Sequence, residues 1–182
     1  MMRSALLRQL YVLLALVVVA TASADDKKAD PMKQLDVLVG AWDVKVKYKL
    51  PDGEYEGKAA CVTKRVLNDR FLQQEYQSMT KNQPQIIWQM LGYDTIQKKF
   101  VEFDLHARGD TAHTIHTHGD ISDDGKVLTL CGDSIDGFTG KPVKMCTVTT
   151  IHDEDHYTLE WFITDDSGKE DRRVVLAHTR KK

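Results

Sequence analysis

Three histidines fall within six residues, His113, His116 and His118, and they are the densest group of chemistry-bearing side chains in the sequence. On a β-strand a His-x-His pair puts both imidazoles on one face, a spacing that recurs among metal ligands. Which face they take depends on the strand before them. Gly109-Asp110 reads as a two-residue hairpin turn with glycine first. That turn sets Arg108 opposite Thr111, Phe103 opposite His116 and Val101 opposite His118. Val101, Phe103 and Leu105 form the apolar face of their strand, so His116 and His118 are predicted to point inward with them. His106 and His113 are then predicted to face each other in solvent, beside Glu102 and Asp104. A three-residue loop would reverse the second strand.

An inward His116–His118 pair has two chemical uses. It can orient a ligand by hydrogen bonding, or it can begin a metal site. A metal needs at least a third ligand. Glu75, Glu160 and His178 are candidates on distant strands that the sequence does not bring together, so no metal set and no cofactor is assigned. The plain alternative is ordinary core or surface histidines. Phe71, Trp88, Phe103 and Trp161 are the aromatic candidates for lining a pocket, since small-molecule sites are lined that way, and they serve a filled core equally well. The sequence has no Gly-x-Ser-x-Gly elbow and no glycine-rich loop leading into a helix. The acidic turns at 123–125 and 153–155 match no complete calcium loop. No catalytic residue is named, and binding is favoured over catalysis.

The elements that must position these residues are strands. Turn signals recur about every ten residues after residue 40, as at Pro51-Asp52-Gly53, Asn68-Asp69, Ser122 to Gly125 and Asp165 to Gly168. Between them lie short alternating segments rich in Val, Ile, Thr, Tyr, Phe and Trp. The first is the clearest: Trp42, Val44, Val46 and Tyr48 alternate with Asp43, Lys45, Lys47 and Lys49, the pattern of a half-buried antiparallel strand. Ten strands are predicted, over 41–50, 55–66, 70–78, 85–93, 98–106, 111–121, 126–132, 142–151, 156–163 and 171–180. A long loop is predicted at 133–141. Asp30 offers an N-cap, Pro31 suits a first helical position and Gly40 a stop, so residues 31–39 are predicted to form one short helix. A ten-strand meander leaves two open edges unless it closes. The predicted fold is therefore all-β, an antiparallel up-and-down barrel with a short N-terminal helix plugging one end.

Residues 1–24 read as a secretory signal peptide. Arg3 and Arg8 precede an apolar run from Leu10 to Ala20, and Ala22-Ser23-Ala24 offers the cleavage site. Residues 25–30 read as a flexible linker and 31–182 as a single domain. The expected location is exported, periplasmic or extracellular, with no stable membrane insertion after cleavage. The formal net charge is −2, with both signs interspersed, which gives no electrostatic footprint for nucleic acid. An oxidising compartment permits a disulfide. Cys131 and Cys146 flank one hairpin and are the pair to expect, leaving Cys61 over; three unpaired strand thiols are the alternative.

Several short motifs occur in a recognisable order: Leu35-Asp36-x-Leu38-x-Gly40-x-Trp42, Leu91-Gly92-Tyr93-Asp94, Gly119 with Asp123-Asp124-Gly125-Lys126, Thr139-Gly140, and Thr179-Arg180. Over residues 35–181 the chain resembles the domain-of-unknown-function family 1579. The resemblance implies a lipocalin-like barrel in an exported protein and carries no assigned activity. Gly40-x-Trp42 with Arg180 is also similar to the lipocalin and fatty-acid-binding superfamily. That likeness implies that Arg180 from the last strand lies across Trp42 as a structural clamp, a cation–π contact. Together these readings lead to the expectation of a barrel that holds a small, largely apolar ligand. The alternatives are a metal protein or enzyme using interior histidines, and an interaction module with a filled barrel and a binding loop at 133–141. Oligomeric state is left open.

Overall fold

The computed structural model describes residues 30–50, 52–80, 83–137 and 139–182. The leader expected over 1–24 and nearly all of the linker expected over 25–30 lie outside the described residues. A 3-10 helix spans Pro31–Leu38. Ten strands follow: β1 (Gly40–Leu50), β2 (Gly53–Val66), β3 (Phe71–Thr80), β4 (Gln83–Asp94), β5 (Lys99–Arg108), β6 (Thr111–Ile121), β7 (Val127–Ile135), β8 (Pro142–Ile151), β9 (His156–Thr164) and β10 (Glu170–Arg180). Each pairs antiparallel with its neighbour in sequence, and β1 pairs with β10, so the sheet closes into an up-and-down barrel without edges. This is the lipocalin-like architecture.

The helix seals one end. Met32, Leu35 and Leu38 are its buried residues, and their spacing of three matches a helix with three residues per turn. Two arginines from the barrel fasten it. Arg180 stands with its guanidinium carbon 4.1 Å from the centre of the Trp42 ring and donates to the carbonyls of Val39 (2.9 Å), Val37 (2.7 Å) and Glu154 (2.8 Å). Arg65 donates to the Met32 carbonyl at 3.1 Å and pairs with the Asp36 carboxylate. The Trp42 indole donates to the Leu38 carbonyl at 3.0 Å. Gly40 is required here twice over: its φ is +137°, and a Cβ would come within 2.6 Å of the Arg180 guanidinium.

Beneath the plug the barrel is filled. Trp42 meets Tyr157 edge-on at 4.8 Å, and Tyr157 stacks on His178 at 3.8 Å. His178 Nδ1 lies 3.1 Å from the Leu176 carbonyl and must donate to it. Its Nε2 therefore accepts from the Tyr76 hydroxyl at 3.1 Å. Burial lowers the His178 imidazole to about 3, and pushes the Cys61 thiol up to about 11. Cys131 and Cys146 lie directly opposite each other on β7 and β8 and are bonded; Cys61 is a free, buried thiol.

Trp42→Ala is expected to lower folding stability by about 3–5 kcal/mol. The urea midpoint checks this; a loss under about 1 kcal/mol would show that the plug does not depend on the indole.

Candidate functional site

The site follows from one ladder of cross-strand partners. Partners directly opposite each other share a face of the sheet. Trp42 is inward and pairs with Cys61, Cys61 with Tyr76, Tyr76 with Ile87, Ile87 with His106, and His106 with His113. That chain of pairs turns Phe100, Glu102, Asp104, His106 and Arg108 of β5 to the interior and puts Val101, Phe103 and Leu105 on the outside. The pairing of β5 with β6 is the one a two-residue turn at Gly109-Asp110 predicts. Its face is the opposite of that expected from β5 alone.

The candidate residues are redistributed accordingly. His116 and His118 point outward and are exposed, with His116 stacked on Phe103 at 4.3 Å. Phe103 and Trp88 are 51% and 46% exposed on the outer wall. Phe71 lies over Gly92 on that same outer face. None of these five lines the interior, because closure of the barrel outweighs the local preference of β5 to bury its apolar side. Trp161 does line the interior. Glu102, Asp104 and His106 of β5 and His113 of β6, expected in solvent, are on the inward face, where the first three are buried and His113 is exposed at the mouth.

Between the filled half and the far end lies a cavity of about 230 Å³. Its walls are aliphatic, including Val46, Ile87, Ile115, Met145, Ile163 and Leu176. Its floor carries Tyr76, His106 and Trp161. The His106 ring lies 5.2 Å from the Trp161 ring and stacks on His113 at 4.5 Å. Trp161 Nε1 and His106 Nε2 are buried and have no hydrogen-bond partner among the described residues. At the mouth, a β-bulge between Arg172 and Val174 lets Arg173 turn toward the opening. Arg173 pairs with Asp171 at 3.0 Å and approaches Asp136 at 3.7 Å, and Lys49 pairs with Asp171 at 2.9 Å. This ion network ties β1 and β10 to the loop after β7. Ile135 and Gly137 line the mouth there, and a Cβ on Gly137 would stand 3.2 Å from the His113 ring. Phe138, in the loop considered as a partner-binding element, lies outside the described residues.

Behind His106 the polar column continues into the wall. Glu102 and Asp104 are 3% and 0% exposed. Glu102 accepts from the hydroxyls of Thr117 and Thr147, each at 3.3 Å, and Gln89 donates to Asp104 at 3.2 Å. Burial raises both carboxyls: Asp104 to about 7, and Glu102 far above the carboxylate range, with the Asp104 charge adding to the burial. Burial lowers His106 to about 4. The imidazole is therefore neutral at pH 7, and its 3.7 Å approach to Asp104 is not an ion pair. His113 is lowered by burial first, then by His106 and Arg108. The floor is thus a neutral hydrogen-bonding surface. Among the described residues no three His, Cys, Asp or Glu side chains converge as a metal site.

Comparison with known proteins agrees with this architecture. The profile of DUF1579, a protein of unknown function, matches residues 27–180. The chain belongs to the DUF1579 family. No curated protein matches it. The crystal structure of Rv2717c from M. tuberculosis is similar with a TM-score of 0.61 at 16% identity, over 84% of this chain and 98% of that one. At that identity the likeness concerns the fold, and the DUF1579 barrel described above is read from its own residues.

The buried groups give opposite pH dependences. Asp104 keeps its proton to about pH 7 when folded against 3.8 for an ordinary aspartate, so stability is lost as pH rises through that window. His106 runs the other way: with a folded value of about 4 against 6.5, stability is gained as pH rises between them and lost as pH falls. Asp104→Asn removes only the first effect. Relative to the wild type, the variant is expected to gain roughly 2–4 kcal/mol between about pH 4 and pH 7.5. Urea unfolding across that range measures it, and a difference independent of pH would contradict the burial of Asp104.

Proposed function

We propose that this chain is a small-molecule-binding protein whose site is the hollow half of the barrel. One observation carries the reading: Trp161 and His106 sit on the floor of a largely apolar cavity, and their Nε1 and Nε2 atoms are buried without partners among the described residues. Buried polar groups in folded proteins are almost always hydrogen-bonded. Orphaned ones on residues that line a cavity are suited to a ligand's polar group once the side chain turns toward it. A cavity of about 150 Å³ accepts benzene, so 230 Å³ suits a compact body somewhat larger than one ring. The ligand would carry an acceptor for the Trp161 N–H, with its apolar body against the aliphatic walls. Orientation comes from His106 and Trp161, in place of His116 and His118. The apolar walls, and the absence of any basic patch in the sequence, favour a small molecule over nucleic acid. Export is part of the proposal, supported by the N-terminal sequence pattern and by a disulfide suited to an oxidising compartment.

A second reading is favoured by the Asp104 carboxyl behind a neutral His106. A neutral imidazole at the floor of the cavity can take a proton from a bound substrate. It differs from the first in one outcome: the bound compound would be consumed.

The test uses 2-naphthol as a probe of suitable size, followed by calorimetry and by native mass spectrometry. One-to-one binding is expected. Ala59→Phe, which projects a ring into the cavity, should abolish it. Trp161→Phe keeps the ring and removes the donor, and should weaken binding about 3- to 10-fold, the worth of one neutral hydrogen bond. Binding that survives Ala59→Phe would place the site elsewhere.

A further inference from the structure

The same ladder that turns β5 inward leaves an unusual outer wall. The outward positions from Ile86 to Gly92 of β4, Val101 to Ala107 of β5 and Ala112 to His118 of β6 carry no Asp, Glu, Lys or Arg; the charges begin beyond them, at Asp94, Lys99 and Asp120. On β1, by contrast, every outward position from Asp43 to Lys49 is charged. The wall has relief. Trp88 and Phe103 stand out from it, Phe103 backed by the His116 ring at 4.3 Å. Toward the β5–β6 turn the paired small residues Ala107 and Ala112 floor a groove bounded by Ile86, Trp88, Leu105 and Thr114. Four residues of strand separate Phe103 from Ala107, about 13 Å at the rise of an antiparallel strand.

A knob and a hollow on one flat face are self-complementary about a two-fold axis, which is the condition for a closed contact between identical chains. We propose that this wall is the interface of a homodimer, in which Phe103 of each copy enters the Ala107–Ala112 hollow of the other and the axis passes beside Leu105. The two sheets then pack face to face, as aligned sheets do in sandwiches. Size fits this occupant. Ile86, Trp88, Phe103 and Leu105 expose on the order of 400 Å² of apolar surface, taking 150–250 Å² for a whole aromatic side chain. A standard interface needs about 800 Å² per partner, with an apolar, aromatic, charge-poor core and a polar rim. These four residues supply such a core. Thr114, His116 and His118 supply a polar rim. The groove and the cavity share His106, Ala112 and His113 as lining, whereas Phe103 borders neither, so Phe103→Lys tests the interface apart from the cavity.

Sedimentation equilibrium of the protein from about 5 to 500 μM tests it, a range that spans ordinary dimer affinities. Twice the chain mass is expected within that range. Phe103→Lys removes the knob and Ala112→Phe fills the hollow. Each changes only an exposed position and should raise the dissociation constant by at least 100-fold, with an unaltered far-ultraviolet circular dichroism spectrum. A wild-type monomer at 500 μM would overturn the proposal, including a monomer that instead sediments with phosphatidylcholine vesicles. So would a dimer whose affinity neither variant changes.

Discussion

Closure is the constraint on which this molecule depends. In an open sheet each strand can choose its buried face nearly alone. In a closed barrel every strand has a partner on both sides, and directly opposed residues must share a face. Once Trp42 is seated under the Arg180 guanidinium, the pairs Cys61, Tyr76, Ile87, His106 and His113 follow around the wall without freedom. To flip β5 alone would need a compensating bulge on each side. Among the described residues a register shift lies elsewhere, in β10, where it serves the cavity mouth.

The cost of that constraint appears in β5. It buries two carboxylic acids and an imidazole, exposes a phenylalanine and a leucine, and leaves a valine half-buried. Burying ionisable groups is expensive unless they are neutral or well bonded. The protein does both, raising both carboxyls above the ordinary carboxylate range, keeping His106 uncharged at neutral pH, and setting Glu102 between two threonine hydroxyls. What results is a barrel in two parts. The plugged half is packed by Trp42, Tyr157, His178 and Tyr76. The other half is hollow, with hydrogen-bonding groups on its floor and an ion network around its mouth. An inverted strand therefore gives the interior its polarity and the outer wall its apolar face.

Much of this was readable from the sequence, and the division is physical. Turn residues at regular spacing set the ten strands and their order, because hairpin geometry is local. The Gly109-Asp110 turn set the β5–β6 register for the same reason. The clean alternation in β1 correctly put Trp42 and Val44 inside. Face assignment failed where alternation was ambiguous. β4 offers Ile86 and Trp88 on one face and Ile87 and Leu91 on the other, so neither face is clearly apolar. β5 offers a false signal, since its apolar side is turned outward by partners five strands long in the making. Such a ladder is visible only once the barrel is assembled. His106 and Trp161 thus became a site through pairing with distant segments, while His116 and His118, closer in sequence to an obvious motif, became surface.

The protonation of His106 tests the inward turn of β5 most directly. Long-range proton–nitrogen spectra of the imidazoles, recorded from about pH 3 to pH 8 and assigned with His106→Gln, report the charge on each ring across the ordinary histidine range. An inward His106 stays neutral until about pH 4 and shows contact with the Trp161 indole. A His106 that titrates near 6.5 with no such contact would put β5 the other way round, and with it both the cavity floor and the apolar outer wall.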